Sequence, residues 1–194
     1  MNSNFKEAFE KTKIAGSIAA GALDEVSKII NPGISTNEID KVCYEYINDN
    51  KAYSAPLFYR GFPKSCCTST NHVVCYGIPS DKVLREGDIV NVDVTAFKDG
   101  WHGDTSRMLY VGKVKLKAQK LVEVTYEAMM RGIEIGKPGI TTGDIGFAIQ
   151  SFAEKKNYSI VKDFCGHGLG EVFHAQPSIL HFGKPGEGTI IKEG

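Results

Sequence analysis

Residues 89–106 constrain this chain more than any other stretch. Ile89-Val-Asn-Val-Asp-Val-Thr95 alternates strictly. Val90, Val92 and Val94 therefore share one face of a strand, and Asn91, Asp93 and Thr95 share the other. Lys98-Asp-Gly100 is a hairpin turn signal, and the chain returns through Trp101-His-Gly-Asp-Thr-Ser106. Folding about that turn brings Asp104 within a residue or two of the position opposite Asp93. Two carboxylates held so close repel unless one is protonated or a cation lies between them. On a solvated hairpin the pair is ordinary surface charge. On a sheet buried by its apolar flank, it is expensive unless neutralised. The pattern leaves both readings open, a polar surface hairpin or the nucleus of a metal site.

A second dense stretch is Phe164-Cys-Gly-His-Gly-Leu-Gly-Glu-Val-Phe-His174. Its alternate glycines oppose a regular helix and leave the His167 imidazole accessible. His174 follows the apolar step Val172-Phe173. Either histidine alone reads as a structural residue. Beside a carboxylate hairpin they suggest mixed oxygen and nitrogen ligation, which suits manganese, iron, cobalt or zinc better than a thiolate site would. His72, His102 and His181 carry less signal. The first two fall on or near strand ends and the third in a loop, so each reads as solvent-facing or structural.

The rest of the chain limits the classes available. Its 23 basic and 23 acidic residues cancel, so no global field draws it to nucleic acid or a membrane. The N-terminus is polar and mixed in charge, unlike a signal peptide, and the apolar run Ile14–Leu23 is too short to span a bilayer. Five cysteines (Cys43, Cys66, Cys67, Cys75, Cys165) without CxxC spacing read as reduced thiols of a cytoplasmic protein. No linker composition interrupts residues 1–194, which predicts a single domain. Helices are expected over 4–30, from 36 to about 47, over 116–135 and over 141–154, with a strand-rich block between 65 and 111. Pro32-Gly-Ile-Ser-Thr-Asn-Glu-Ile and Pro138-Gly-Ile-Thr-Thr-Gly-Asp-Ile share a helix stop, a Pro-Gly turn and a newly capped helix. This echo is either a common helical connection or the mark of a duplicated α/β half, in which case ligands often bind where the halves meet.

Asn71-His-Val-Val-Cys-Tyr-Gly-Ile-Pro79, Gly87-Asp-Ile-Val-Asn-Val-Asp93, Trp101-His-Gly-Asp-Thr-Ser106 and Cys165-Gly-His-Gly-Leu-Gly170 are together very similar, in order and spacing, to the type I methionine aminopeptidases. The resemblance runs from about Lys11 to the last residue. It implies an α+β pita-bread (creatinase/aminopeptidase) fold, two pseudo-symmetric α/β halves around a curved antiparallel sheet. It also implies a metallopeptidase catalytic domain that removes initiator methionine from nascent polypeptides at the ribosome. The cofactors implied are two divalent ions, of Co, Mn, Fe, Ni or Zn. By motif match Asp93 would chelate one metal, Asp104 would bridge both and His167 would bind the other. His174 would contact the scissile peptide, and Tyr59, Phe62, Cys67 and Phe173 fall where the family forms its methionine pocket.

Two departures stand out. Tyr76 occupies a substrate-contacting position where the family motif has histidine; it keeps a hydrogen-bonding tip but cannot become an imidazolium. The family also continues beyond the stretch matching Ile190–Gly194, and that continuation carries two glutamate ligands and strands of the sheet. The expectation is therefore a C-terminally incomplete site, doubtful occupancy by the second metal and an open sheet edge. The alternatives are a non-catalytic pita-bread homologue or fragment that binds nascent peptides or a protein partner, and a proline-directed peptidase, against which the motifs around Cys67 and His167 argue.

Overall fold

The computed structural model describes residues 3–193, with side chains from Phe5 onward. The chain divides into two compact units. One runs to Lys115 and includes Leu169–Phe173; the other holds Leu116–Gly168 and the chain from His174.

The first unit opens with α1 (Ser3–Ile29) and α2 (Thr36–Asp49). The apolar run seen in the sequence is the inner face of α1. Ala15, Ile18, Ala19, Ala22, Leu23 and Val26 are all buried, at the spacing of a single helical stripe. Helix α2 begins at a capping box in which the Ser35 side chain accepts from the Glu38 amide and Glu38 accepts from the Ser35 amide. Ile39, Cys43 and Ile47, on its inner face, are fully buried.

Strands β1 (Tyr53–Ser54), β2 (Cys67–Thr70), β3 (Ile89–Lys98) and β4 (Trp101–Tyr110) form one antiparallel sheet. β3 lies at its centre. It pairs along its whole length with β4, and on its other edge with β2 at one end and β1 at the other. The β3–β4 turn has both Asp99 (φ 49°) and Gly100 (φ 88°) in the left-handed region, as the tightest hairpin turn requires. That turn fixes the register: Thr95 faces Asp104 and Asp93 faces Ser106.

Alternation then gives the sheet two different faces. Val90, Val92, Val94 and Ala96, each fully buried, pack with Leu23, Val26, Ile39 and Ile47 of the helices in one core. Burying each larger aliphatic side chain there contributes roughly 1.5–3 kcal/mol. Thr68 and Thr70, opposite Val92 and Val90, lie on this same face. α1 approaches β4 so closely at Gly103 that a Cβ there would run into the backbone of Ala15 and Gly16. At the rim Arg107 bonds Asp24 of α1 at 2.8 Å, an exposed pair worth about 1 kcal/mol at most. The opposite face carries Asn91, Asp93, Thr95, Asp104 and Ser106.

The second unit holds α3 (Leu116–Glu134), α4 (Thr142–Lys155) and a short hairpin of β5 (Gly166–Gly168) and β6 (Ala175–Ile179). The sequence echo holds at the level of single hydrogen bonds. Thr141 caps α4 with Asp144 as Ser35 caps α2 with Glu38. The Gly33 amide donates to Leu84 O and Leu84 N to Ile34 O; the Gly139 amide donates to Ile191 O and Ile191 N to Ile140 O. Thr36 Oγ1 accepts from Ser80 N, and Thr142 Oγ1 accepts from Thr189 N. One supersecondary device has been built twice.

The strand-rich block expected between 65 and 111 is interrupted: the segment 71–82 that follows β2 is irregular, so His72 and Tyr76 lie on no strand and share no strand face. Asn71 (φ 54°) and Tyr76 (φ 56°) adopt left-handed backbone, which breaks the extended repeat that a shared face needs. No helix among the described residues is long and apolar enough to cross a membrane. All five cysteines are free thiols.

The fit of α1 over Gly103 yields the first test. Gly103→Ala should destabilise the protein by about 2–3 kcal/mol, measured as a lowered urea midpoint with unchanged m-value.

Candidate active site

Register places the candidate residues of the first unit in rows on the sheet's polar face. Cys67 of β2 lies opposite Asp93 of β3, which lies opposite Ser106 of β4; Thr95 lies opposite Asp104, and Phe97 opposite His102. Asp93 and Asp104 are thus diagonal neighbours on adjacent strands, a separation that polar side chains can bridge. Burial, and then the charge of and hydrogen bond with Asp104, push the Asp93 carboxyl from its ordinary 3.8 up to about 7. Thr95, almost fully buried, donates from Oγ1 to Asp104 Oδ1 at 2.9 Å and orients that carboxylate. The sequence put Thr95 on the polar face but gave it no task; counting register back from the Asp99-Gly100 turn would have found its partner.

Cys67 is nearly buried. Burial first, and the neighbouring Asp93 charge second, push its thiol up to about 12. It is a neutral, soft group at any physiological pH. Tyr59 and Phe62 lie on or beside a 3-10 turn, Tyr59–Gly61, that is entered and interrupted by left-handed backbone at Phe58 (φ 66°) and Arg60 (φ 50°). Non-glycine residues in that region cost of order 1 kcal/mol each and concentrate at functional loops. The turn is closed by a 2.7 Å bond from Phe58 N to Phe62 O. The Tyr59 ring meets Phe173 edge-on, with centroids 5.0 Å apart. Tyr76 is 58% exposed on its irregular loop.

In the second unit the β5–β6 hairpin brings His167 and His174 together, with ring centroids 4.5 Å apart. Nδ1 of His167 lies 2.9 Å from Gly168 O. A carbonyl only accepts, so Nδ1 carries a proton, the arrangement in which a histidine that ligates a metal would do so through Nε2. His181 is half-buried in a loop, and desolvation there lowers its pKa. His72 lies exposed in the irregular segment. His102 is structural, as described below. Among the described residues, no group of three or more His, Cys, Asp or Glu side chains is arranged to hold a metal ion.

The donor set nonetheless fits a divalent cation. A half-buried carboxylate pair that resists full ionisation is a site where a dication relieves both desolvation and repulsion.

Residues 10–194 match metallopeptidase family M24. A methionine aminopeptidase of Rickettsia prowazekii is 56% identical over 186 residues, spanning 96% of this chain and 72% of that protein. The chain belongs to the methionine aminopeptidases of family M24. Its fold agrees with the crystal structure of the Rickettsia prowazekii methionine aminopeptidase at a TM-score of 0.96 and 55% identity, covering 97% of this chain and 76% of that one. The prolidase of Pyrococcus furiosus also matches, at 25% identity and a TM-score of 0.82, with 97% and 54% covered. The fold is therefore the pita-bread fold of two α/β halves, and membership in M24 carries a dependence on divalent metal. The lower likeness to the prolidase agrees with the sequence motifs in disfavouring a proline-directed enzyme.

The Asp93 pKa has a consequence that stability measurements can read. Free of divalent ions, the folded chain keeps a proton at the pair up to about pH 7, whereas an unfolded Asp ionises near 3.8. Between those values the folded state binds more protons, so stability falls as pH rises through the window. In EDTA, urea titrations at pH 5 and pH 7.5 should show wild type losing on the order of 3 kcal/mol more than Asp93→Asn over that interval.

Proposed function

We propose that this chain is a metal-dependent aminopeptidase that removes N-terminal methionine from peptides and nascent polypeptides in the cytoplasm, with Asp93, Asp104 and His167 as metal ligands. The observation that carries the reading is the half-buried Asp93–Asp104 pair, with the Asp93 carboxyl pushed up to about 7 by burial and by Asp104, in a chain 56% identical to a methionine aminopeptidase. The buried hydroxyl of Thr95 fixes one oxygen of Asp104, leaving the carboxylate oriented for a bridging role.

Divalent metal held by these groups would supply a nucleophile from water at neutral pH and would polarise the scissile carbonyl. The protein's own residues do the rest. His174 donates to the oxygen on which negative charge develops, a contribution of about 3 kcal/mol for a well-placed donor. Tyr59, Phe62, Cys67 and Phe173 line the methionine pocket. Because the Cys67 thiol stays protonated, it meets the substrate's thioether as a soft neutral surface and does not compete for metal as a thiolate.

Tyr76 offers the substrate a phenol hydroxyl. A phenol donates one hydrogen bond and stays neutral, so the reaction runs without the second imidazole that the family motif supplies.

The deciding assay is methionine release from Met-Ala-Ser with Mn²⁺, Fe²⁺ or Co²⁺. Release should occur, should stop with chelator and should fall at least 10³-fold, roughly the loss of an essential catalytic group, in Asp104→Ala. Hydrolysis unchanged in Asp104→Ala would sink the metal assignment. Absence of release with every metal, from folded protein, would favour the binding-protein alternative. Tyr76→His should raise kcat by about 10-fold, the lower end of what a positioned general acid or base contributes, with KM little changed.

A further inference from the structure

His102 has no role in the reading above, yet it makes more ring contacts than any other histidine in the first unit. Its backbone N–H donates to Gly170 O at 2.9 Å, and its ring Nδ1 lies 2.8 Å from the same oxygen. A carbonyl only accepts, so Nδ1 carries a proton and one residue satisfies both lone pairs of one carbonyl. The imidazole then stacks flat on Phe173, with centroids 5.5 Å apart and planes 9° apart, and meets Phe97 on its own hairpin at 4.7 Å. Phe173 in turn meets Tyr59 at 5.0 Å. A chain of rings, Phe97–His102–Phe173–Tyr59, thus runs from the end of the hairpin to the pocket loop.

We infer that His102 is a positioning residue that clamps Leu169–Phe173 to the first unit and sets Phe173 as the wall that selects methionine, an inference that rests on the pocket assignment above. The anchor matters because the segment it holds is short and glycine-containing and connects β5, which carries His167, to His174 just before β6. Without the bidentate grip on Gly170 and the flat ring beneath it, Phe173 loses its stacked partner and the anchor of its segment. A wall free to move admits branched side chains and holds the unbranched thioether less well. Differences of about one methylene in an apolar pocket are worth about 10- to 200-fold in discrimination.

Trp101, the chain's single tryptophan, reports on the clamp. Gly170 lies against its indole, where a Cβ on Gly170 would meet Cζ3 at 3.4 Å. Acrylamide quenching of Trp101 is measured in the full chain without metal, and kcat and KM for Met-Ala-Ser and Leu-Ala-Ser are measured with Mn²⁺. His102→Ala should raise the quenching constant about twofold. It should also cut the Met-over-Leu ratio of kcat/KM about tenfold, through a higher KM for the Met peptide at nearly unchanged kcat. His102→Phe keeps the stacked ring and loses the bond, and should show about a threefold loss; it also serves if the alanine variant does not fold. Quenching and selectivity equal to wild type in a folded variant would overturn the inference, as would a fall in kcat with KM and selectivity unchanged. A wild-type chain that hydrolyses neither peptide would sink the functional reading instead, and the quenching comparison alone would then decide the clamp.

Discussion

The register of β3 against β4 is the constraint on which the first unit depends, and two residues set it. Asp99 and Gly100 both take left-handed backbone, so the turn closes in two residues and the strands cannot slip. A slip by one would turn every side chain of the slipped strand over. If β3 turned, Val90, Val92 and Val94 would leave the helical core and Asp93 would enter it; if β4 turned, Asp104 would enter it. The same alternation therefore stabilises the fold and presents the carboxylates, and the two tasks cannot be tuned separately along this hairpin. The approach of α1 over Gly103 adds a second lock, because only the present register offers the helix a residue without a side chain at its point of closest approach.

The two units repeat a device rather than a sequence. Ser35 and Thr141 cap their helices with different acids, Glu38 and Asp144, yet each makes the same reciprocal pair of bonds. The next residue in each case, Thr36 or Thr142, ties the helix start to a later segment through its hydroxyl and its amide. Backbone bonds carry most of the echo, which is why it survives where side chains differ. Helix α1 and the long hairpin have no counterpart of equal length among the described residues of the second unit, where β5 and β6 are short.

Much of this was legible in the sequence because it rests on local rules. The starts of α2 and α4 followed from their caps, the inner face of α1 from its apolar stripe, and the Asp93–Asp104 proximity from alternation plus a turn signal. The conformation of 71–82 was not legible. Asn71 and Tyr76 sit in left-handed backbone held by tertiary bonds: Asn71 exchanges hydrogen bonds with Asp88 and Ile89, and Gly77 O accepts from Thr68 N. Nothing local in His-Val-Val-Cys-Tyr announces those partners, and its β-branched residues favour the extended reading. His102 was missed for the same reason, since its partners Gly170 and Phe173 are far along the chain.

Asp93 shows what the sequence could state only as an alternative. Its carboxyl is costly because it is buried beside Asp104, and that cost is the basis of its chemical use. A pair that was fully solvated would ionise freely and have little to gain from a cation. A pair that was fully buried without Thr95 would leave Asp104 poorly oriented and would destabilise the hairpin further. The structure sits between these limits: Asp93 is held near the middle of the physiological range, Asp104 is fixed by one hydroxyl, and Cys67 across the ladder stays neutral. The fold tolerates the strain because the other face of the same strands buries Val90, Val92 and Val94 completely. A chain that filled the polar face with apolar residues would be more stable and would have no site.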